Sequence, residues 1–208
     1  SRGLGDVYKR QSFSCAGVNY TRTVFASHPA DCIVMCIESD RPGTINLEAR
    51  FSRPERAYNG VDRIGKDTIV LHGDLGKHGY DFAVSLKAAA DGGSVEQLGE
   101  YLVVTGADRV VLYIAADCTY HCKDELEHIM AEKLKTLKES EAAGDLNRQN
   151  GNNGSYAVME SEAALWLLKG RMQKVLDRAA GESYNQLLDA HISCLLYTSP
   201  SPRDKRQS

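Results

Sequence analysis

The sequence has few aromatic residues and no long apolar run. No run of apolar residues approaches the roughly 20 that a membrane-spanning helix needs, so we expect no membrane span. Aromatic residues make up 7% of the 208 residues, and the only tryptophan, Trp166, lies in a predicted helix. Modules that bind carbohydrate usually present an exposed aromatic platform. The tyrosines of this sequence are scattered, which weakens the interpretation of the chain as a carbohydrate-binding module.

Basic residues are not in excess either. The chain has 25 lysines and arginines against 28 aspartates and glutamates, a formal net charge of -3. An acidic chain without a basic cluster lacks the electrostatic footprint of a protein that binds nucleic acid or an anionic membrane. We therefore expect no nucleic-acid partner.

Cysteine gives no indication of a disulfide framework. Cys32 and Cys36 lie on one face of a predicted strand, about 13 Å apart, which is too far for a disulfide. We interpret them as small buried hydrophobic residues. The cellular compartment stays undecided.

The two ends of the chain lack the periodicity of a helix or strand. A DNA sequence that encodes residues 1–11 has a reverse complement that encodes Cys194–Arg203. We interpret residues 1–11 and 194–208 as translated sequencing adapter, so that the natural sequence is a fragment, residues 12–193. Six basic and two acidic residues lie in these ends, and without them the net charge moves from -3 to -7.

Residues 12–122 show the pattern of an all-β domain, with short alternating segments separated by turn residues. The predicted strands are 13–15, 20–25, 32–37, 44–51, 68–72, 81–89, 94–97, 101–105 and 109–115. The apolar run 32–37 predicts a central strand covered on both faces, and the polar segment 52–67 predicts a loop. The fold class is mainly β: an antiparallel sandwich, incomplete because its first strands are missing, followed by a helical linker.

The helical linker is predicted over residues 123–193. Apolar spacing indicates one helix at 123–137 and a second at 161–179, separated by a flexible, Asn- and Gly-rich insertion at 139–155. A third helix begins after Ser183, which forms an S-x-x-Q capping box with Gln186.

Several residues are of types that bind metal ions or phosphate, but their spacing does not match that of a known site. Cys118, His121 and Cys122 are zinc-ligand types, yet no second cluster completes a tetrahedral site. His72 and His78 are interpreted as solvent-facing residues of a loop. The segment 73–77 lacks the spacing of a phosphate-binding loop and its following helix.

The carboxylates and the one Ser-His pair have equally simple structural interpretations. The acidic residues of the helical region fit solvated helix faces: Asp124, Glu125, Glu127, Glu160 and Glu162. The segment 27–29, Ser-His-Pro, is interpreted as a structural turn before a strand. We assign no catalytic residue, no cofactor-binding residue, no metal ligand and no cofactor.

The segment 18–29, VNYTRTVFASHP, resembles a hairpin motif in the N-terminal domain of glycoside hydrolase family 95, the inverting α-L-fucosidases. The family pattern is Gly-Val-x-Tyr-x-Arg-x-x-Phe-Ala-Ser-x-Pro followed by an apolar strand. Residues 110–120 are similar to the strand that closes the family's β-domain. Residues 183–191 are similar to the helix that leads toward its catalytic barrel.

This resemblance implies a parent enzyme with an N-terminal β-sandwich, a helical linker, an (α/α)6 barrel and a small C-terminal β-domain. By this resemblance, the parent enzyme hydrolyses fucosylated oligosaccharides. The family's catalytic acid and water-activating residues lie in the barrel. The resemblance therefore implies that this chain is an inactive domain that packs on the barrel. The resemblance also implies a secreted or periplasmic enzyme. Two alternatives stay open: the β-domain of another (α/α)6-barrel glycosidase or phosphorylase, and a carbohydrate-binding β-sandwich module.

The missing strands lead to a prediction about solution behaviour. Unpaired strand edges and an uncovered apolar face favour association between chains, so we expect the isolated chain to aggregate or to unfold with poor cooperativity. Size-exclusion chromatography and thermal denaturation measure both properties. A monodisperse monomer with a sharp two-state transition would contradict the fragment interpretation.

Overall fold

The computed structural model describes residues 7–54, 58–76, 79–142 and 156–198. Ten strands precede three helices: β1 Lys9–Cys15, β2 Val18–Ser27, β3 Cys32–Ser39, β4 Ile45–Ala49, β5 Gly60–Ile64, β6 Thr68–Asp74, β7 Asp81–Asp91, β8 Ser94–Leu98, β9 Tyr101–Ala107, β10 Arg109–Cys118, α1 Lys123–Ala142, α2 Tyr156–Ala180 and α3 Tyr184–Thr198. A 3-10 helix, Thr119–Cys122, joins β10 to α1. The predicted fold class, mainly β with a helical region after it, is confirmed.

The strands form two antiparallel sheets. The larger sheet has seven strands in the order β1-β2-β3-β10-β7-β6-β5, and the smaller has three in the order β4-β9-β8. At the centre of the larger sheet, Leu112 of β10 lies opposite Met35 of β3 and Ala88 of β7. Strand β10 therefore has a partner on each side from Arg109 to Ile114, and its last four residues pair with β7.

Both faces of the larger sheet are apolar, and each packs against a different layer. One face meets the smaller sheet in a core that includes Ile69, Leu86, Val110, Leu102 and Val104. The opposite face meets the helices in a second core, in which Val34, Val111, Leu168, Met172 and Leu176 are buried. Since side chains of a strand alternate between faces, residues adjacent in β10 belong to different cores.

Helix α2 is the main cover of the second face. Its buried residues recur at helical spacing, and they are Ala163, Ala164, Leu167, Leu168, Met172, Leu176 and Ala179. Helix α3 begins with the predicted capping box. The Gln186 amide donates to Ser183 Oγ at 3.3 Å, and the Ser183 amide donates to Gln186 Oε1 at 2.9 Å, which satisfies two backbone groups at the helix start.

Two sequence boundaries are corrected by the structure. The predicted loop 52–67 contains strand β5, which pairs with β6 from Gly60 opposite His72 to Ile64 opposite Thr68. The segment Gly60–Ile64 has little alternation of its own, so its pairing partner determines its conformation. Helix α1 extends to Ala142, into the predicted insertion 139–155; the rest of that insertion, residues 143–155, lies outside the described residues.

The predicted adapter boundaries do not coincide with boundaries of the fold. Strand β1 begins at Lys9 and pairs with Val24 of β2, and α3 continues through Cys194 to Thr198. His191 Nε2 also lies 2.7 Å from the backbone oxygen of Val7. Residues 1–6 and 199–208 lie outside the described part of the chain, and the DNA origin of the two ends stays a prediction.

Strand β3 is covered less completely than the sequence predicts. Cys32, Val34 and Cys36 are buried on the helical side, whereas Ile33 is 41% exposed on the other. Cys32 and Cys36 are free and buried, as predicted, and burial raises the pKa of the Cys36 thiol to about 12. The smaller sheet has only three strands and leaves this part of the larger sheet partly uncovered.

In the ranges that the structure describes, no helix is long and apolar enough to cross a membrane.

The helical layer predicts a sharp difference between two leucines. Leu168 is fully buried against the larger sheet, whereas Leu137 of α1 is 41% exposed. We expect Leu168→Ala to lower the free energy of unfolding by about 2–5 kcal/mol, because the truncation removes apolar contacts and leaves a cavity. Leu137→Ala is the matched control and should cost under about 1 kcal/mol. Urea denaturation measures both; equal losses would contradict the packing of α2 on the sheet.

Candidate functional site

Polar side chains collect where the end of β10, the start of β7 and helix α2 meet. Strands β7 and β10 are paired to their ends here, with Cys118 opposite Phe82. The 3-10 helix continues from β10 at this point. Two ionic clusters and a small cleft lie along this side of α2.

The Asp117 cluster consists of Asp117, His121, Glu125 and Arg171. Arg171 donates from Nε to Asp117 Oδ2 at 2.8 Å and from Nη1 to Glu125 Oε1 at 2.9 Å. His121 Nδ1 lies 2.9 Å from Asp117 Oδ1, and the Cys118 amide donates to the same oxygen at 2.8 Å. Burial alone would raise the pKa of Asp117, but the hydrogen bonds from Arg171, His121 and Cys118 outweigh it and hold the pKa below its ordinary value.

The Asp62 cluster joins the β5–β6 hairpin to α2. His72 Nε2 lies 3.2 Å from Asp62 Oδ2, and Lys169 of α2 contacts the same oxygen. The hydrogen bond from Lys169 lowers the pKa of Asp62, against the opposing effect of burial. Burial lowers the pKa of His72, although Asp62 favours its protonated form.

A cleft of about 110 Å³ lies between this hairpin, the start of β7 and α2. Its polar lining includes Asn59, His72, Asp81, Ser161 and Glu162. Burial raises the pKa of Asp81, and the charges of Asp74 and Glu160 add to the rise. Burial therefore favours the neutral form of the Asp81 carboxyl group, with its pKa above the ordinary value.

The residues tested for zinc binding occupy structural positions. Cys122 is buried, and its Sγ lies 3.8 Å from the backbone oxygen of Cys118, while His121 belongs to the Asp117 cluster. Within the described residues, no group of three or more potential ligands could hold a metal ion. His72 corrects the sequence interpretation, because its side chain is only 17% exposed; His78 lies outside the described residues.

The remaining candidates also have local structural roles. Gly73 lies in β6, where an added Cβ would overlap Tyr58 and Phe82; Lys77 lies outside the described residues. As predicted for solvated helix faces, Asp124, Glu125, Glu127 and Glu162 are exposed, whereas Glu160 is partly buried.

The segment 27–29 forms a corner. Ser27 is buried, its Oγ accepts a hydrogen bond from the Ala30 amide at 3.2 Å, and the Asp31 amide donates to the His28 oxygen. Asp31 then takes a φ of 56°, and β3 follows. The side chain of Ser27 is thus used to stabilise a turn, in agreement with the structural interpretation.

The carboxylates of the two ionic clusters are held by basic side chains of α2. Inverting glycoside hydrolysis needs two acidic groups about 6.5–9.5 Å apart with room for water and sugar between them. In the two ionic clusters, Asp117 and Asp62 are instead occupied by basic side chains at hydrogen-bonding distance. These carboxylates tie α2 to the sheet.

Domains of unrelated function share a fold of this class, an antiparallel sandwich with a helical layer. The fold alone therefore does not identify the family, which is identified by sequence comparison. Residues 4–123 match the model of the N-terminal domain of glycosyl hydrolase family 65. The match covers more than half of the chain, and the chain belongs to this family. The matched range includes residues 4–11, which lie in the segment interpreted from the sequence as translated adapter.

The comparison with solved structures gives a remote likeness. One structure, provisionally described as a kojibiose phosphorylase from the human microbiome, is 10% identical with a TM-score of 0.44. The alignment covers 88% of this chain and 22% of that chain, so the chain spans about a fifth of the length of that protein. No curated protein matches, and the predicted fucosidase family is not supported by these comparisons.

The Asp117 cluster predicts unequal effects for two basic residues. Arg171 is 35% exposed and bonds two carboxylates, whereas Lys123 is 71% exposed and lies 3.8 Å from Glu127. We expect Arg171→Met to destabilise the fold by about 1–3 kcal/mol, because hydrogen bonds to partly buried charges are lost, and to raise the pKa of Asp117. Lys123→Met is the control, with an expected change under about 1 kcal/mol. Urea denaturation and NMR titration give the two readouts; an unchanged Asp117 pKa would refute the assignment.

The lowered pKa of His72 predicts a loss of stability on acidification. Its pKa in the folded chain lies below the ordinary value of 6.5, so the unfolded chain takes up the proton first as the pH falls. The free energy of unfolding should therefore have its full value above pH 6.5 and decline below it. A further decline should follow as Asp62 and Asp117 protonate below the ordinary carboxyl pKa of 3.8. His72→Gln should abolish the first decline and keep the second. The same first decline in both proteins would assign it to another group.

Proposed function

We propose that this chain is a non-catalytic N-terminal domain of an enzyme that cleaves glycosidic bonds by hydrolysis or phosphorolysis. The match of residues 4–123 to the N-terminal domain of glycosyl hydrolase family 65 carries the proposal. The ionic clusters are consistent with it, since their carboxylates bond basic residues of α2. In this proposal the domain supports a catalytic barrel encoded elsewhere in a longer protein.

The helical layer supplies a surface for packing on that barrel. Helix α2 buries one side against the sheet and exposes Tyr156, Val158 and Trp166 on the other, with Trp166 69% exposed. Large exposed apolar side chains on one helix are typical of contact surfaces. We assign the exposed side of α2 to contact with the catalytic domain.

An α-L-fucosidase is the second candidate, and one observation favours it. The hairpin motif in residues 18–29 follows the pattern of the fucosidase family, and the structure forms that hairpin with the corner at Ser27. In this variant the parent enzyme acts on fucosylated oligosaccharides with inversion. The two candidates share the role of the domain and differ in the substrate of the parent.

Extending the coding DNA in both directions and expressing the longer protein tests both candidates. We expect the longer protein to release a sugar phosphate from kojibiose and phosphate, or L-fucose from an α-1,2-fucosylated glycan, and residues 1–208 alone to release neither. Recovery of an open reading frame without a downstream helical barrel would overturn the proposal. Turnover by the isolated chain would overturn its non-catalytic role.

A further inference from the structure

Two exposed tyrosines meet at the end of the larger sheet. Tyr80 directly precedes β7 and is 46% exposed, and Tyr120 lies in the 3-10 helix after β10 and is 64% exposed. Their ring centroids are 5.4 Å apart, and the rings meet edge to face at 76°. We call these two residues the tyrosine pair.

The backbone around the tyrosine pair is held by a buried side chain. Thr119 is 7% exposed; its Oγ1 accepts a hydrogen bond from the Asp81 amide at 3.1 Å and lies 3.4 Å from the Asp81 backbone oxygen. Thr119 and Asp81 are the neighbours of Tyr120 and Tyr80, so this contact fixes the two tyrosine-bearing segments together. Because the strands on either side are paired to their ends, the rings need little ordering when a ligand binds.

One polar side chain, His121 of the Asp117 cluster, lies beside the tyrosine pair. The ring of His121 lies 5.6 Å from the ring of Tyr120, and its side chain is 62% exposed. The carboxylate of Asp117 is hydrogen-bonded to Nδ1 of His121 and accepts a hydrogen bond from Nε of Arg171. Among the described residues, His121 Nε2 has no hydrogen-bond partner, so it is available to a ligand.

An aromatic face beside fixed polar groups matches the chemistry of a sugar. One face of a pyranose presents C–H groups that stack on an aromatic ring. The hydroxyl groups of the sugar form hydrogen bonds with charged side chains, and these bonds are stronger than those between neutral groups. A protein-binding patch would instead surround its aromatic residues with apolar contacts that exclude water. Here the polar neighbour of the tyrosine pair is His121, which belongs to the Asp117 cluster.

We propose that the tyrosine pair and the adjoining Asp117 cluster form a binding subsite for a neutral oligosaccharide. Tyr120 supplies the main stacking surface, Tyr80 supports it edge-on, and His121 and Arg171 contribute hydrogen bonds to hydroxyl groups. The subsite does not depend on which glycosidic bond the parent enzyme cleaves. It gives the N-terminal domain a role in holding the glycan chain.

Surface plasmon resonance with the 208-residue chain immobilised at low density tests this subsite. The probes are kojibiose, maltotriose, cellotriose and fucosyllactose at millimolar concentration, and circular dichroism verifies the fold of each variant. We expect at least one probe to bind, Tyr120→Ala to weaken that binding at least about tenfold, which corresponds to about 1.4 kcal/mol, and Tyr120→Phe to retain it. His121→Ala should weaken binding severalfold.

Trp166→Ala is the matched control, because it removes a more exposed aromatic ring from the outer side of α2. Its binding should equal that of the unmodified chain. The proposal is overturned if the folded chain binds none of the four probes, or if Tyr120→Ala and Trp166→Ala bind alike. Loss of stability of the longer enzyme on Tyr120→Ala, without any sugar binding, would instead identify the tyrosine pair as a contact between domains.

Discussion

The rest of the structure depends on the burial of both faces of β10. Val110 and Leu112 face the smaller sheet, and Val111, Tyr113 and Ala115 face the helices. A strand buried on both sides needs two covering layers, because neither face can be left in water without losing apolar burial. The burial of Tyr113 is deep enough to raise the pKa of its phenol to about 12. The helices are therefore an integral layer of the folded unit.

The same constraint determines how the proposed subsite is held. Since β10 and β7 are paired to their ends, the residues that follow β10 and precede β7 are placed on a rigid base. Asp117 extends this base to α2 through Arg171, and Thr119 joins it to the start of β7. Binding groups held by paired strands and satisfied hydrogen bonds are more precisely positioned than groups on free loops. The tyrosine pair and the Asp117 cluster both benefit from this arrangement.

Local sequence signals were sufficient for most elements and insufficient for the site. Alternation predicted β4 and β7, and the Ser183–Gln186 capping box predicted the start of α3. Strand β5 was missed because its conformation depends on pairing with β6.

The candidate site was missed for a related reason. Tyr80 and Tyr120 lie far apart in the sequence and meet only through the register of β7 on β10. His72 was expected in a loop, and its burial follows from β5 and α2 closing over it. No periodicity or spacing in one sequence encodes these long-range contacts.

Native-state hydrogen exchange tests the central claim, two-sided burial of β10, most directly. The amides of β10 should open only with global unfolding, and those of β1, whose residues are all exposed at the edge of the sheet, should exchange through local opening. We predict this difference in protection between the two strands. Amides of β10 that exchange as fast as those of β1 would contradict it.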